Sequence, residues 1–314
     1  MRNFNFDLHF HSNASDGEAS VEALIETIGQ ATEPAQMYAL ADHDTLANSQ
    51  TFMLGVENSL PAVELTARYG SASSPSAPHV LGYGVSWRNP DLASYMEERQ
   101  WERVRRLRAW GARFAELGLR FETAELEALG QNFGKPHIVS ELRRHRENEP
   151  FLPPPPEDET VSDPIYTKYL KVGGLADISK IVPSSLLTVP EVVEIIHAAG
   201  GVAILAHPQV SFYELGQDRR FVDWRAGVSK TRQALDSFVD AGLDGVEVFN
   251  YRHGPEFRAE ILDWAQDKSL LITAGTDDHT STGENIGRAF YDGEVEIFEP
   301  QAERWLGELL ARLT

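Results

Sequence analysis

Cysteine is absent from the 314 residues, which excludes a disulfide framework and any thiolate metal site. A transition metal would have to be held by His, Asp and Glu. Long apolar runs are missing too: no stretch of about 18 apolar residues occurs, so we expect no membrane-spanning segment. The N-terminus enters a strand with no basic leader and apolar run, so we expect no secretion signal and a cytoplasmic location. Positive charge is scarce, 28 Lys and Arg against 48 Asp and Glu. The net charge of −20 argues against sequence-independent binding of long nucleic acid. Neither a Gly-x-Gly-x-x-Gly after a strand nor a phosphate loop ending in Gly-Lys-Ser/Thr is present, which removes the usual dinucleotide and nucleotide fingerprints.

What is present suffices for a packed core: 42% of the residues are hydrophobic. The length fits one (β/α) barrel carrying an insertion. Phe4, Phe6, Leu8 and Phe10 alternate with polar residues, predicting a first strand. Further strands are expected at 37–41, 61–65, 79–85, 202–206, 245–250 and 270–275. Between them lie helical patterns such as Val21, Leu24, Ile25 and Ile28. This alternation predicts βαβ units and a largely parallel arrangement.

The rhythm breaks between about 95 and 187, which we read as a helical insertion in a catalytic barrel made of 1–94 and 188–314. Its first helix, about 91–118, carries an apolar stripe at Trp101, Val104, Leu107, Trp110, Phe114 and Leu117, expected to pack as core. The arginines beside that stripe are expected on a solvated face. From Arg99 to Arg146 eleven Lys and Arg face six Asp and Glu, a local net of +5 on an acidic protein. A Pro-rich loop at 150–164 reads as a linker.

Metal-type side chains fall at the C-terminal ends of successive predicted strands: His9 and His11, His43, Glu64, His207, and Asp277 with His279. Asp16 sits in the first βα loop, and His79 opens its strand instead of closing it. On a strand His9 and His11 share a face, with Cβ atoms ~7 Å apart. Alone, such a pair is a wet strand edge. Each of the other residues likewise has an ordinary explanation as a turn, strand end or salt bridge. Six of the ten histidines fall in this set, five of them at the C-terminal ends of strands, which scattered surface histidines would not do, because such ends converge on one rim of a barrel.

His9-x-His11, Asp16, Asp42-His43-Asp44, Glu64, His79, Ala206-His207-Pro208 and Asp277-x-His279 resemble, in order, the motifs of the PHP (polymerase and histidinol phosphatase) superfamily. Gly134-Lys135-Pro136-His137 and Lys168-Tyr169-Leu170 further resemble its RNase AM and nucleoside 3′,5′-bisphosphate phosphatase subgroup. The resemblance implies an α/β fold, a distorted (β/α)7 barrel with a helical insertion lidding the metal site. It implies two or three divalent ions (Mn, Fe or Zn): one on His9, His11, Glu64 and Asp277, a second on Glu64, His79 and His207, and a third on Asp16, His43 and His279.

The activity so implied is phosphomonoester hydrolysis by a metal-bridging hydroxide, since a bound divalent ion brings the pKa of water to about 7. The expected partner is a small phosphorylated substrate, with no membrane and no long nucleic acid. Lys135, His137 and Arg288 are nominated to hold its phosphate. For Lys135-Pro136-His137 the simpler reading is a helix start with Pro at its first turn. Rival readings are a phosphatase of the histidinol-phosphate type on the same core, and a non-catalytic metal-stabilised module.

Overall fold

The structure is a computed structural model and describes residues 5–71, 74–128, 133–156, 163–209, 230–290 and 294–314. Residues 157–162 of the Pro-rich loop lie outside them. The chain forms two compact units, one of residues up to Tyr95 with those from Leu186 onward, the other Met96–Ser185.

The first unit is a mixed α/β structure. Strands β1 (Asp7–Phe10) and β2 (Tyr38–Leu40) pair in parallel, with α1 (Val21–Gly29) between them. Ser20 caps α1 by accepting from the Ala23 N–H. Its apolar face, Val21, Leu24 and Ile28, packs with Phe10, Tyr38 and Leu40. After α2 (Ser49–Gly55) comes β3 (Ala62–Thr66), a short antiparallel pair of β4 (Tyr69–Ser71) and β5 (Ser74–Ser76), and then β6 (His79–Tyr83). Strands β7 (Val202–Leu205), β8 (Gly245–Phe249) and β9 (Leu271–Ala274) complete a five-stranded sheet ordered β3-β6-β7-β8-β9.

Continuous ladders thus make a two-stranded and a five-stranded sheet rather than a closed barrel. Isolated parallel bridges adjoin them, Phe10 with Asp278 on one side and His43 with Glu64 on the other.

One expectation needs correction. The pairings are not largely parallel around β6, which runs antiparallel to both β3 and β7. The stretch between β3 and β6, 67–78, carries the antiparallel pair β4 and β5 and no helix among its described residues, so it supplies no helical crossover of the kind a parallel return uses. The reversal also accounts for the odd position of His79. It pairs with Thr66 at the C-terminal end of β3, so the first residue of β6 reaches the rim where other strands end.

The helices on this scaffold begin and end as their sequences direct. Before α6 (Val189–Ala198), Thr188 and Glu191 form a capping box, with the Glu191 carboxylate accepting from the Thr188 N–H at 2.7 Å. Gly200, at φ +80°, ends that helix and turns the chain into β7. Helices α7 (Lys230–Asp240), α8 (Pro255–Asp267) and α9 (Glu294–Arg312) follow.

The second unit packs most of α3 (Pro90–Glu116) with α4 (Thr123–Ala128) and α5 (Lys135–Arg144). Leu107, Trp110 and Phe114 join Ile138, Leu142 and Tyr169 in its core. The predicted stripe fails at its first member: Trp101 is 51% exposed whereas Glu102 is 1% exposed. Glu102 is held inside by Arg99 and by the backbone N–H and hydroxyl of Ser185, so this turn buries a polar knot instead of an indole. Arg99, expected on a solvated face, is therefore buried.

The local excess of positive charge is largely paired at home. Arg105, Arg108, Arg113, Arg120 and Arg144 bridge to Glu98, Glu127, Glu116, Glu122 and Glu125, and Arg143 clasps Asp163 with two hydrogen bonds of 2.7 Å.

Phe114 is fully buried, so Phe114→Ala should destabilise the helical unit by about 3–5 kcal/mol, read as an earlier denaturant transition.

Candidate metal centre

The site grows from β1. Its alternation sends His9 and, one residue past its end, His11 to the same face, and both are buried. Their Nε2 atoms lie 3.2 Å apart. Glu64 of β3 faces them. Its Oε2 is 3.2 Å from His9 Nε2, 3.3 Å from His11 Nε2 and 3.1 Å from His43 Nδ1. Its Oε1 is 2.9 Å from both His79 Nδ1 and His207 Nε2. Five imidazoles thus converge on one carboxylate.

After β9, Asp277 Oδ1 lies 3.2 Å from His11 Nε2 and 3.5 Å from His9 Nε2. Asp16, from the loop after β1, places Oδ1 3.3 Å from His279 Nε2 and 3.8 Å from His43 Nε2. His11 stacks against His43 and His279, with ring centroids 4.7 and 4.2 Å apart.

Three groups result, and within each the donor atoms lie within 4.8 Å of one another: His9, His11, Glu64 and Asp277; His43, Glu64 and His79; and His11, Asp16, His43 and His279. All nine residues drawn from the sequence come together here. The grouping is wider than the resemblance implied, because His43 joins Glu64 and His79, and His11 joins Asp16. His207 shares Glu64 Oε1 with His79.

These residues suit divalent ions. Glu64 Oε2, Asp16 Oδ1, His43 Nδ1 and His207 Nδ1 are buried without a hydrogen-bond partner among the described residues. At 3.1–3.3 Å, Glu64 Oε2 and its imidazole neighbours are separated about as two ligands of one ion are, when each bond is about 2.0–2.2 Å. The electrostatics agree. Burial favours the neutral form of Glu64, yet His43, His9 and His79 outweigh it and hold the carboxyl well below its ordinary range. Burial likewise opposes a charge on His9, but Glu247, Glu64 and Asp277 raise its pKa well above the ordinary imidazole value. A buried place whose carboxylate stays ionised beside a His9 that favours its charged form is one that attracts cations.

The rim is strained where it matters. Asp44, His207 and Asp277 adopt φ of +51°, +25° and +51°, a region rarely used by residues other than glycine. Buried braces hold them. Asp42 accepts from the Ser12 N–H and from the hydroxyls of Ser12 and Ser15, fixing the loop that carries Asp16. Asp7 accepts from the N–H and hydroxyl of Thr276 and from the Gly287 N–H, anchoring the loop of Asp277.

Three residues of this site, Glu247, Asp7 and Arg252, were not singled out by the motifs, and Asp42, which was, has a different partner from the one its place beside His43 suggests. Glu247 and Asp7 each interrupt an apolar strand, Val246-Glu247-Val248 and Phe6-Asp7-Leu8. That buried carboxylate is the signal by which they could be found. Asp42 adjoins His43 but braces the serines instead. Arg252, whose Nε is 3.2 Å from Asp277 Oδ2, has no spacing to mark it.

The nominated phosphate contacts are placed less tellingly. His137 Nδ1 accepts from the Gly134 N–H at the start of α5, the capping role of a helix start, and Lys135 is the first residue of that helix. Arg288 is exposed in the loop after Gly287.

No family model matches the chain. It is 27% identical over 315 residues to a 3′,5′-nucleoside bisphosphate phosphatase from Chromobacterium violaceum, covering 98% of each chain. It is 23% identical over 282 residues to the 5′-3′ exoribonuclease Rnm of Escherichia coli, covering 87% of this chain and 85% of that one. With a phosphoribosyl 1,2-cyclic phosphate 1,2-diphosphodiesterase from Eggerthella lenta it shares 27% over 290 residues, 88% of this chain and 95% of the other. Among solved structures, one described as a metal-dependent phosphoesterase from Bifidobacterium adolescentis superposes with a TM-score of 0.70 at 22% identity, over 98% of this chain and 96% of that one. The chain is a distant homologue of phosphoric ester hydrolases and shares its fold with a solved metal-dependent phosphoesterase.

Proposed function

We propose that the protein is a metal-dependent phosphoesterase that hydrolyses a phosphomonoester, its substrate a nucleoside 3′,5′-bisphosphate or a short oligonucleotide. The observation that carries the reading is the convergence of imidazoles from four strand ends on the Glu64 carboxylate. The named activities of two of the relatives, a nucleoside bisphosphate phosphatase and an exoribonuclease, support nucleotide chemistry. The net charge of −20 favours mononucleotides and very short oligomers over long RNA.

His9, His11, Glu64 and Asp277 would hold one ion, Glu64 with His79 and His207 a second, and Asp16, His43 and His279 a third. Divalent ions there would supply an activated water and neutralise the phosphate oxygens. The chain's own part is to fix the donors and to screen charge. Arg252 balances the Asp277 carboxylate and presents a cation at the rim. Lys135 and His137 of the insertion are nominated to hold the phosphate, with Arg288 the weaker candidate.

The finer architecture belongs to the same reading. The bridges of Phe10 to Asp278 and His43 to Glu64 support a distorted ring of seven strands, a (β/α)7 barrel whose strand ends form one rim.

Protein loaded with Mn or Zn should release phosphate from adenosine 3′,5′-bisphosphate. A panel that includes histidinol phosphate, a ribose cyclic phosphate and a long RNA tests the choice; turnover of any of these without the bisphosphate overturns it. His9→Ala or Asp277→Asn should abolish turnover and lower bound metal measured by elemental analysis. Lys135→Ala should raise KM with metal content unchanged, and an unaltered KM removes Lys135 from the substrate's surroundings.

A further inference from the structure

We infer that Glu247 is the positioning residue of the metal centre, setting the tautomer of His9 and the placement of His207. The inference rests on the metal-centre reading above.

Glu247 is fully buried in β8 amid Val246, Val248 and Phe249, where a carboxylate is costly unless every lone pair is used. It is used from two sides. Oε1 lies 3.0 Å from His9 Nδ1. Oε2 accepts from the His207 N–H at 2.8 Å and from the Asn250 side-chain amide at 3.0 Å. A carboxylate only accepts, so His9 must carry its proton on Nδ1. Its Nε2 lone pair is then directed at His11, Glu64 and Asp277. The bond to the His207 backbone holds a residue whose φ of +25° is strained, with Nε2 aimed at Glu64. Asn250 Oδ1 also accepts from the Arg252 N–H, so the same carboxylate steadies the turn that carries Arg252.

Gly275 shows how closely the fold is built around this pair. A Cβ there would lie 2.2 Å from His9 Cβ and 2.5 Å from Glu247 Oε1, closer than any side chain tolerates. The end of β9 can pass only as glycine.

Glu247→Gln separates positioning from bulk, because it keeps the shape and changes one acceptor into a donor. Two N–H groups, from His207 and Asn250, claim the amide oxygen. The amide nitrogen is left facing His9 Nδ1, which then has to accept, and the ring proton moves to Nε2, where it blocks the ion.

Zinc is the probe, titrated calorimetrically into metal-free wild type and Glu247→Gln, with the ring 15N spectrum of the zinc-loaded protein recorded alongside. Wild type should show His9 protonated at Nδ1 and zinc-bound at Nε2. The variant should bind zinc about 10- to 100-fold more weakly. A wild-type His9 without a proton on Nδ1, or equal zinc affinity in the two proteins, overturns this inference while leaving the metal centre standing. Absence of zinc binding by the wild type removes the metal centre and this inference with it. The wild-type spectrum alone decides the tautomer if the variant fails to fold.

Discussion

A single carboxylate, Glu64, is the constraint on which the rest of the site depends. Buried and ionised, it is tolerable only because His9, His11 and His43 lie at one oxygen and His79 and His207 at the other. Those histidines belong to β1, the segment after β2, β6 and the segment after β7. The demand of one buried charge is therefore met only when distant strands are in register. Several imidazoles and carboxylates converging in a buried place make a cation the natural complement, and the raised pKa of His9, where a proton serves as that cation, expresses the same demand.

The scaffold meets that demand through one reversal. Had β6 run parallel to β3, His79 would sit at the opposite end of the sheet from Glu64. The short β4–β5 stretch brings β6 back antiparallel, so His79 stands beside Thr66 at the rim. Behind the rim, Asp7, Asp42 and Glu247 brace the loops and rings that carry ligands, each carboxylate filled by several N–H or O–H donors. Strain at Asp44, His207 and Asp277 is affordable because these braces over-determine the backbone.

The helical unit follows different physics. Its core of Leu107, Trp110 and Phe114 with residues of later helices is ordinary apolar packing, while its arginines are mostly absorbed by glutamates on neighbouring turns. A charge excess read along the chain therefore overstates the field at its surface, because pairing is decided by side-chain neighbours rather than by composition.

The amino-acid order alone determined the donor types, the shared face of His9 and His11, and the position of most donors at strand ends, because a period of two and the absence of cysteine are local facts. It could not tell whether Glu102 or Trp101 turns inward, since that depends on Ser185, 83 residues away. Nor could it reveal Arg252 beside Asp277, or Glu247 behind His9 across 238 residues. Strand order, the direction of β6 and the partners of each buried carboxylate were decided only by the tertiary structure. Electrostatic and hydrogen-bond partners act over a few ångströms in space, and separation along the chain carries no record of that distance.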